Sequence, residues 1–404
     1  MEKSVIYPFS HPLYVMVKPV GAMCNLACRY CYYLEKKGLY EERRTVMSEH
    51  VLENFIRQYI GAQTQREVLF VWHGGEPLML PVSFYENALR LQRKYAGGHV
   101  IDNCIQTNGT LLTDEWCRFL SANGFLVGVS IDGNGQMHDM YRRTVGGSGT
   151  FSEVMRGIDM LVRHGVEWNA MSTVNSYNVG RPVELYRFFR DIGCRYIQFT
   201  PVVERTCGGR LGLPDADGSD FRLTDTSVSP EEWGVFLCEI FDEWVRNDVG
   251  EYFVQLFDAT LANWAGVEPG VCSLSATCGN ALAMEYNGDL FSCDHFVFPE
   301  YLLGNIGRGS LIDMGYGEAQ NRFRRMKTDL PQRCRECEWR FLCNGECPKN
   351  RFVTDVSGER GVNYLCDGYR KFFSHSAPYM KFMCDELAAG RAPSNVMRFF
   401  SNNR

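Results

Sequence analysis

Cysteine placement constrains this chain more than any other feature. Of 17 cysteines in 404 residues, three crowd into Cys24-x3-Cys28-x2-Cys31, eight lie between Cys272 and Cys366, and six stand singly. A disulfide framework is the first reading to weigh, but such frameworks belong to small exported domains. A chain of this length buries a sizeable core without covalent staples. Its N-terminal stretch offers only a short apolar run at 13–17, framed by Pro12 and Lys18, too brief for an export signal. No apolar stretch approaches membrane-spanning length. The expectation is a cytoplasmic protein whose clustered thiols bind metal. A net charge of −6 invites neither nucleic acid nor an anionic membrane as partner.

The first half alternates β-type runs with helical patterns. Strands are expected at 13–18, 67–72, 101–106, 125–131, 166–174 and 195–201, with helices near 48–61, 83–95, 113–122, 150–164 and 180–191. Thr113 followed by Asp114 and Glu115 reads as a helix start, and Gly165 and Gly193 sit where helices stop. Six β/α alternations predict a parallel sheet with helical crossovers, as a partial barrel or an open doubly wound sheet. Either form binds ligands at the carboxyl ends of its strands. Polar residues collect there: the Cys24–Cys31 loop, His73-Gly74-Gly75-Glu76, Thr107-Asn108-Gly109-Thr110, Ser130 with Asp132, and Gln198 with Thr200. Five such coincidences point to one mouth. The Gly- and Asp-rich stretch 204–228 reads as an irregular insertion, a helix follows near 229–247, and an amphipathic helix at roughly 367–390 is expected to pack back on the body.

Three closely spaced thiolates hold three irons of a [4Fe–4S] cube and leave the fourth open to a small chelating molecule. A structural zinc site wants four closed ligands, and the nearest further candidates, His11 and His50, are badly spaced. The triad, with Tyr30 before its third cysteine, resembles the signature of the radical S-adenosylmethionine (SAM) superfamily. That resemblance implies a partial (β/α)6 barrel in which the unique iron binds the SAM amino and carboxylate groups. Gly74-Gly75-Glu76-Pro77 is similar to the segment that receives the SAM amino group, here through Gly75. Tyr30, Ser130, Arg142 and Thr200 match further cofactor-binding positions.

Cys334-x2-Cys337-x5-Cys343-x3-Cys347, with Cys272, Cys278, Cys293 and Cys366, supplies eight thiolates for two closed four-cysteine sites. The spacing alone also allows a pair of zinc ribbons. The pattern resembles the SPASM-type extension of radical SAM enzymes that modify peptides and proteins. By that resemblance two auxiliary [4Fe–4S] clusters take interleaved ligands, Cys272, Cys278, Cys293 and Cys347 for the nearer and Cys334, Cys337, Cys343 and Cys366 for the farther. The implied domains are the barrel at 1–228, a linking helical region at 229–268, the cysteine-rich iron–sulfur domain at 269–370, and a helix and tail at 371–404. Of the remaining cysteines, Cys104, Cys117, Cys194 and Cys238 read as small core residues, and Cys207 as an exposed thiol.

Across nearly the whole chain the sequence resembles the anaerobic sulfatase-maturating enzymes, through VKPVGAMCNLACRYCYYLEK, WHGGEP, QTNGTLLTDEWC, VGVSIDG, YIQFTPVVE, NGDLFSCDHFVFPEYLLGNI and CNGECPKNRF. The resemblance implies oxidation of a cysteine or serine in a Cys/Ser-x-Pro-x-Arg segment to Cα-formylglycine. It also implies three [4Fe–4S] clusters, SAM, an unfolded or nascent sulfatase polypeptide as substrate, and a flavodoxin- or ferredoxin-type electron donor. Asp294, directly after Cys293, matches the general base, and Tyr33 and His73 are candidates to orient substrate or SAM. Two rival readings are a radical SAM maturase making thioether links in a ribosomal peptide and a non-catalytic iron–sulfur electron carrier. The unligated iron of an open triad argues against the second.

Overall fold

The structure, a computed structural model, describes residues 13–36, 38, 45–208, 210–212, 221–279 and 281–401. Six strands, β1 (Tyr14–Val17), β2 (Glu67–Trp72), β3 (Val100–Thr107), β4 (Leu126–Ser130), β5 (Trp168–Val174) and β6 (Tyr196–Pro201), lie side by side in chain order and pair in parallel. Helices Glu49–Gly61, Val82–Tyr95, Asp114–Ala122, Phe151–Arg163 and Pro182–Asp191 cross between them. Every expected strand and helix of this half is present, with ends displaced by two residues or fewer. The punctuation is local chemistry. Thr113 accepts a hydrogen bond from the Trp116 N–H, and Gly165 and Gly193 take φ of 63° and 74°, which residues with a Cβ resist.

One sheet face is buried beneath the helices, with Val15, Val17, Phe70, Trp72, Ile105, Val127, Val129 and Ala170 in one continuous core. The other face lines the hollow of the half-barrel. On β3 the odd-numbered Asn103, Ile105 and Thr107 are buried, so Cys104 turns towards that hollow and is only partly covered. It is therefore not the core residue expected from the sequence, whereas Cys117, Cys194 and Cys238 are buried. Cys207 is exposed.

The 204–228 insertion, expected to be irregular, carries a small antiparallel sheet of β7 (Arg205–Cys207), β8 (Arg210–Leu211) and β9 (Arg222–Leu223); residues 209 and 213–220 lie outside the described residues. β10 (Phe253–Val254) extends the main sheet beyond β6. On the opposite side, β11 (Ala281–Met284) adds in parallel to β1, followed antiparallel by β12 (Asp289–Phe291) and β13 (Leu302–Asn305), so the main sheet has ten strands. The cysteine-rich region, which reads as poor in regular structure, thus continues the barrel's own sheet. The three strands that do so are three or four residues long, too short for a period-two pattern to register, and they form because β1 offers an unpaired edge. Helix Cys366–Ala388 packs back on helix Pro230–Asn247, as the sequence predicts. The two approach closely, since a Cβ on Gly368 would meet the Pro230 carbonyl at 2.2 Å.

Candidate active site

The strand-end loops lock around the cysteine triad. Gly75 N–H donates to the Gly21 carbonyl at 2.8 Å and Glu76 N–H to the Met23 carbonyl at 2.9 Å. A Cβ at Gly75 would stand 2.0 Å from that Met23 oxygen, so only glycine allows this approach. The buried Glu76 carboxylate accepts from Thr107 Oγ1 and the Asn108 N–H, each at 2.7 Å, and from the Leu78 N–H at 3.0 Å. Asn108 Nδ2 in turn reaches Cys24 Sγ at 3.7 Å and Asn25 Oδ1 at 2.9 Å. The second and third strand-end loops therefore hold the first. Burial pushes the Cys24 thiol up to about 11 and the Cys28 thiol to about 12, and the neighbouring Cys31 raises both further. Thiols so placed ionise only beside a compensating cation, and metal ions supply one.

A second cluster lies at the ends of β4 and β5. Buried Asp132 pairs with Arg142 (Nε to Oδ2, 3.0 Å), accepts the Tyr30 hydroxyl, and takes the Thr173 N–H at 3.0 Å. Arg142 also donates to Thr173 Oγ1 at 3.5 Å, and Thr173 stands in register with Thr200 of β6. Ser130 Oγ accepts from Gln106 Nε2 at 3.0 Å. Tyr30, Arg142 and Thr200 thus gather at one end of the sheet, with Ser130 closing β4 beside them. Asp132, noticed in the sequence only as a strand-end residue, is the group that ties Tyr30 to Arg142.

Asp294 sits across the sheet, beyond β1. Lys18 Nζ lies 2.5 Å from its Oδ1 and 3.2 Å from Glu285 Oε1, and Lys18 is wholly buried. Tyr33 donates to Oδ1 at 2.8 Å, Tyr32 donates to Oδ2, and Lys36 Nζ donates to the Asp294 carbonyl at 2.6 Å. The Tyr33 hydroxyl stands 3.4 Å from His73 Nδ1. Burial alone would raise the Asp294 pKa, but Lys18, Lys36, His73 and His295 outweigh it and hold the carboxyl well below the usual range. Burial, aided by the neighbouring Lys18 charge, brings Lys36 down to about 7, and burial lowers His73. Sequence reasoning found Asp294, Tyr33 and His73. It missed Lys18, Tyr32, Lys36 and Glu285, although a lysine closing an otherwise apolar strand was a visible signal for Lys18.

The eight C-terminal thiols fall into two groups by mutual influence. The Cys272 charge acts on Cys278, Cys293 and Cys347, bringing these four together. Cys366 is perturbed by Cys334 and Cys337, and Cys343 by Cys366. This second set lines a cavity of about 390 Å³ between Trp339 and Phe373. Among the described residues no three His, Cys, Asp or Glu side chains close on a single metal ion. Thiols gathered around open space, as in this second set, fit the corners of an iron–sulfur cube. None of the 17 cysteines forms a disulfide.

A profile of the radical SAM superfamily matches residues 19–189, and one for an iron–sulfur cluster-binding domain, SPASM, matches 276–338. The chain is 57% identical over 403 residues, 98% of its own length and 97% of the relative's, to the serine-type anaerobic sulfatase-maturating enzyme of Bacteroides thetaiotaomicron. The chain belongs to the anaerobic sulfatase-maturating enzymes. Another member of that family, the serine-type enzyme of Klebsiella aerogenes, is 37% identical over 93% of this chain and 88% of its own. The solved structure of native anSMEcpe with bound AdoMet and Cp18Cys peptide superimposes with a TM-score of 0.83 at 28% identity, covering 93% of this chain and 100% of that one. Like its family, this radical SAM oxidoreductase generates formylglycine and uses SAM and iron–sulfur clusters, on the partial barrel and cysteine-rich domain described above. Membership decides for sulfatase maturation over thioether formation or electron carriage. No helix among the described residues is long and apolar enough to cross a membrane.

Proposed function

We propose that this enzyme oxidises a serine side chain of a sulfatase polypeptide to formylglycine, with Asp294 accepting the hydroxyl proton. The serine preference is supported by the two serine-type relatives at 57% and 37% identity. Cys24, Cys28 and Cys31 would hold the cluster on which SAM would supply a radical for the Cβ hydrogen, and Cys272, Cys278, Cys293 and Cys347 would hold an auxiliary cluster able to serve as electron acceptor. Cys334, Cys337, Cys343 and Cys366 hold the third cluster. Tyr30, Gly75, Ser130, Arg142 and Thr200 receive SAM. The remaining work falls to Asp294 and its neighbours. A serine CH2OH that has lost one hydrogen atom must still lose a proton and an electron to become an aldehyde.

The observation that carries this reading is the Asp294 carboxylate, fixed by Lys18, Tyr32 and Tyr33 beside the thiol of Cys293. Those donors keep it ionised and immobile. Loss of the Cβ hydrogen strengthens the hydroxyl as an acid, so an ionised carboxylate of low basicity suffices. Proton and electron then leave towards adjacent groups. The substrate is presented unfolded, a flavodoxin- or ferredoxin-type donor reduces the clusters, and the compartment is the reducing cytoplasm, which suits 17 unpaired thiols.

The test is anaerobic reconstitution, then incubation with SAM, dithionite and matched Ser-x-Pro-x-Arg and Cys-x-Pro-x-Arg peptides. Mass spectrometry should show the serine peptide losing two hydrogen atoms. Conversion of the cysteine peptide alone refutes the serine assignment, and SAM cleavage with neither peptide changed refutes the reaction.

A further inference from the structure

The hollow of the half-barrel has a second end. At the amino ends of β4, β5 and β6, opposite the triad, lies a cavity of about 790 Å³ walled by Leu126, Trp168, Tyr196 and Phe253. Tyr196 and Phe253 stack with centroids 5.0 Å apart and planes within 11°, and Tyr196 remains 54% exposed. The cavity is acidic on balance, with Glu167, Asp258 and Glu268 against Arg195. Asp258, on helix Gln255–Trp264, has no ion pair or hydrogen bond to its carboxylate among the described residues, and burial alone lifts its pKa to about 7. Asn169 Oδ1, in the same wall, is buried and accepts no hydrogen bond. An apolar platform, a lone carboxylate and an unused acceptor together make a receptor for a cation with several N–H donors.

The cavity and the strand-end mouth lie at opposite ends of one face of β5. On β5, Ala170, Ser172 and Val174 are buried, so Asn169, Met171 and Thr173 share the face towards the hollow. Asn169 lies at the cavity and Thr173 bonds Arg142 at the mouth. Four residues of strand span about 13 Å. In the Cys/Ser-x-Pro-x-Arg segment the arginine also follows the reacting residue by four positions, about 13 Å when extended.

We propose that this cavity receives the motif arginine of the sulfatase substrate, with Asp258 as its carboxylate partner and Tyr196 against its stem. The proposal rests on the sulfatase-maturation reading. Asn169 Oδ1 takes one of the guanidinium N–H groups, and the arginine, anchored at the floor, sets how far along the hollow the reacting side chain reaches. Specificity follows from leaving a half-buried carboxylate unpaired when the arginine is absent.

The test measures equilibrium binding of a labelled motif peptide to the SAM-loaded holoenzyme by fluorescence anisotropy, with arginine or the isosteric, uncharged citrulline at the last motif position. Citrulline should weaken binding to the native enzyme by about tenfold or more. Asp258→Asn should weaken the arginine peptide by a similar factor and leave the citrulline peptide nearly unaffected. Independent, multiplying effects of the two changes overturn the pairing. If Asp258→Asn fails to load its clusters, Asp258→Ser replaces it. Equal affinity of native enzyme for both peptides overturns the proposal whatever either variant does. Mass spectrometry of the same samples keeps the two readings apart. Binding with the expected preference but no conversion sinks the proposed reaction, and conversion without the preference sinks this inference alone.

Discussion

Gly75→Ala is a single methyl group placed where the structure has no room for it. The added Cβ would stand 2.0 Å from the Met23 carbonyl oxygen and 2.8 Å from the Ala22 carbonyl carbon, while real Cβ contacts essentially never fall under 3.0 Å. Both neighbours are backbone, so no side chain can swing away, and the two loops must separate by about 1 Å. That separation breaks the 2.8 Å and 2.9 Å hydrogen bonds joining Gly75 and Glu76 to the triad loop. A misplacement of this size at a reacting centre typically costs about 10²-fold in rate. The assay is 5′-deoxyadenosine formation by chromatography, with iron quantified on the same sample. The expected result is a loss of SAM cleavage of about a hundredfold, with the auxiliary iron retained. Gly61→Ala, in a helical position where an added Cβ meets nothing within 4 Å, is the matched control and should be silent. Native rates of SAM cleavage in Gly75→Ala would refute the claim that this loop contact holds the SAM site.

Replacing Cys24, Cys28 and Cys31 together by Ala should abolish 5′-deoxyadenosine while about two-thirds of the native iron remains, since the other eight thiols lie in the C-terminal region and suffice for two four-cysteine sites; persistent SAM cleavage would contradict the triad's role. Asp294→Asn removes a charge without changing size, so SAM cleavage should continue while formylglycine falls by about 10²–10⁴-fold by mass spectrometry. An equal loss of both products would mean that Asp294 supports the fold or the clusters instead. Lys18→Met leaves Glu285 and Asp294 as buried carboxylates without their shared cation, which should destabilise the holoenzyme by about 3–5 kcal/mol. Its melting temperature should drop, and adding Glu285→Gln should recover part of the loss; an unchanged melting temperature would show that Lys36 already suffices.

The sequence by itself determined the β/α order of the first half, because those strands and helices are long enough for hydrophobic period and capping residues to register. Thr113, Gly165 and Gly193 mark their boundaries through short-range chemistry that needs no distant partner. Cysteine spacing likewise singled out eleven thiols as candidate metal ligands, since ligands of one site must often be neighbours in the chain. Tertiary structure decided what depends on long-range pairing. β11, β12 and β13 are short runs that become strands only on the open edge of β1. The Cys104 side chain faces the hollow because of its strand's register, which composition does not reveal. The surroundings of Asp294 come from Lys18, Tyr32, Tyr33 and Lys36, more than 250 residues away in sequence. A charge so largely enclosed is stable only when folding delivers its counter-charges, and no local pattern announces which distant residues will do so.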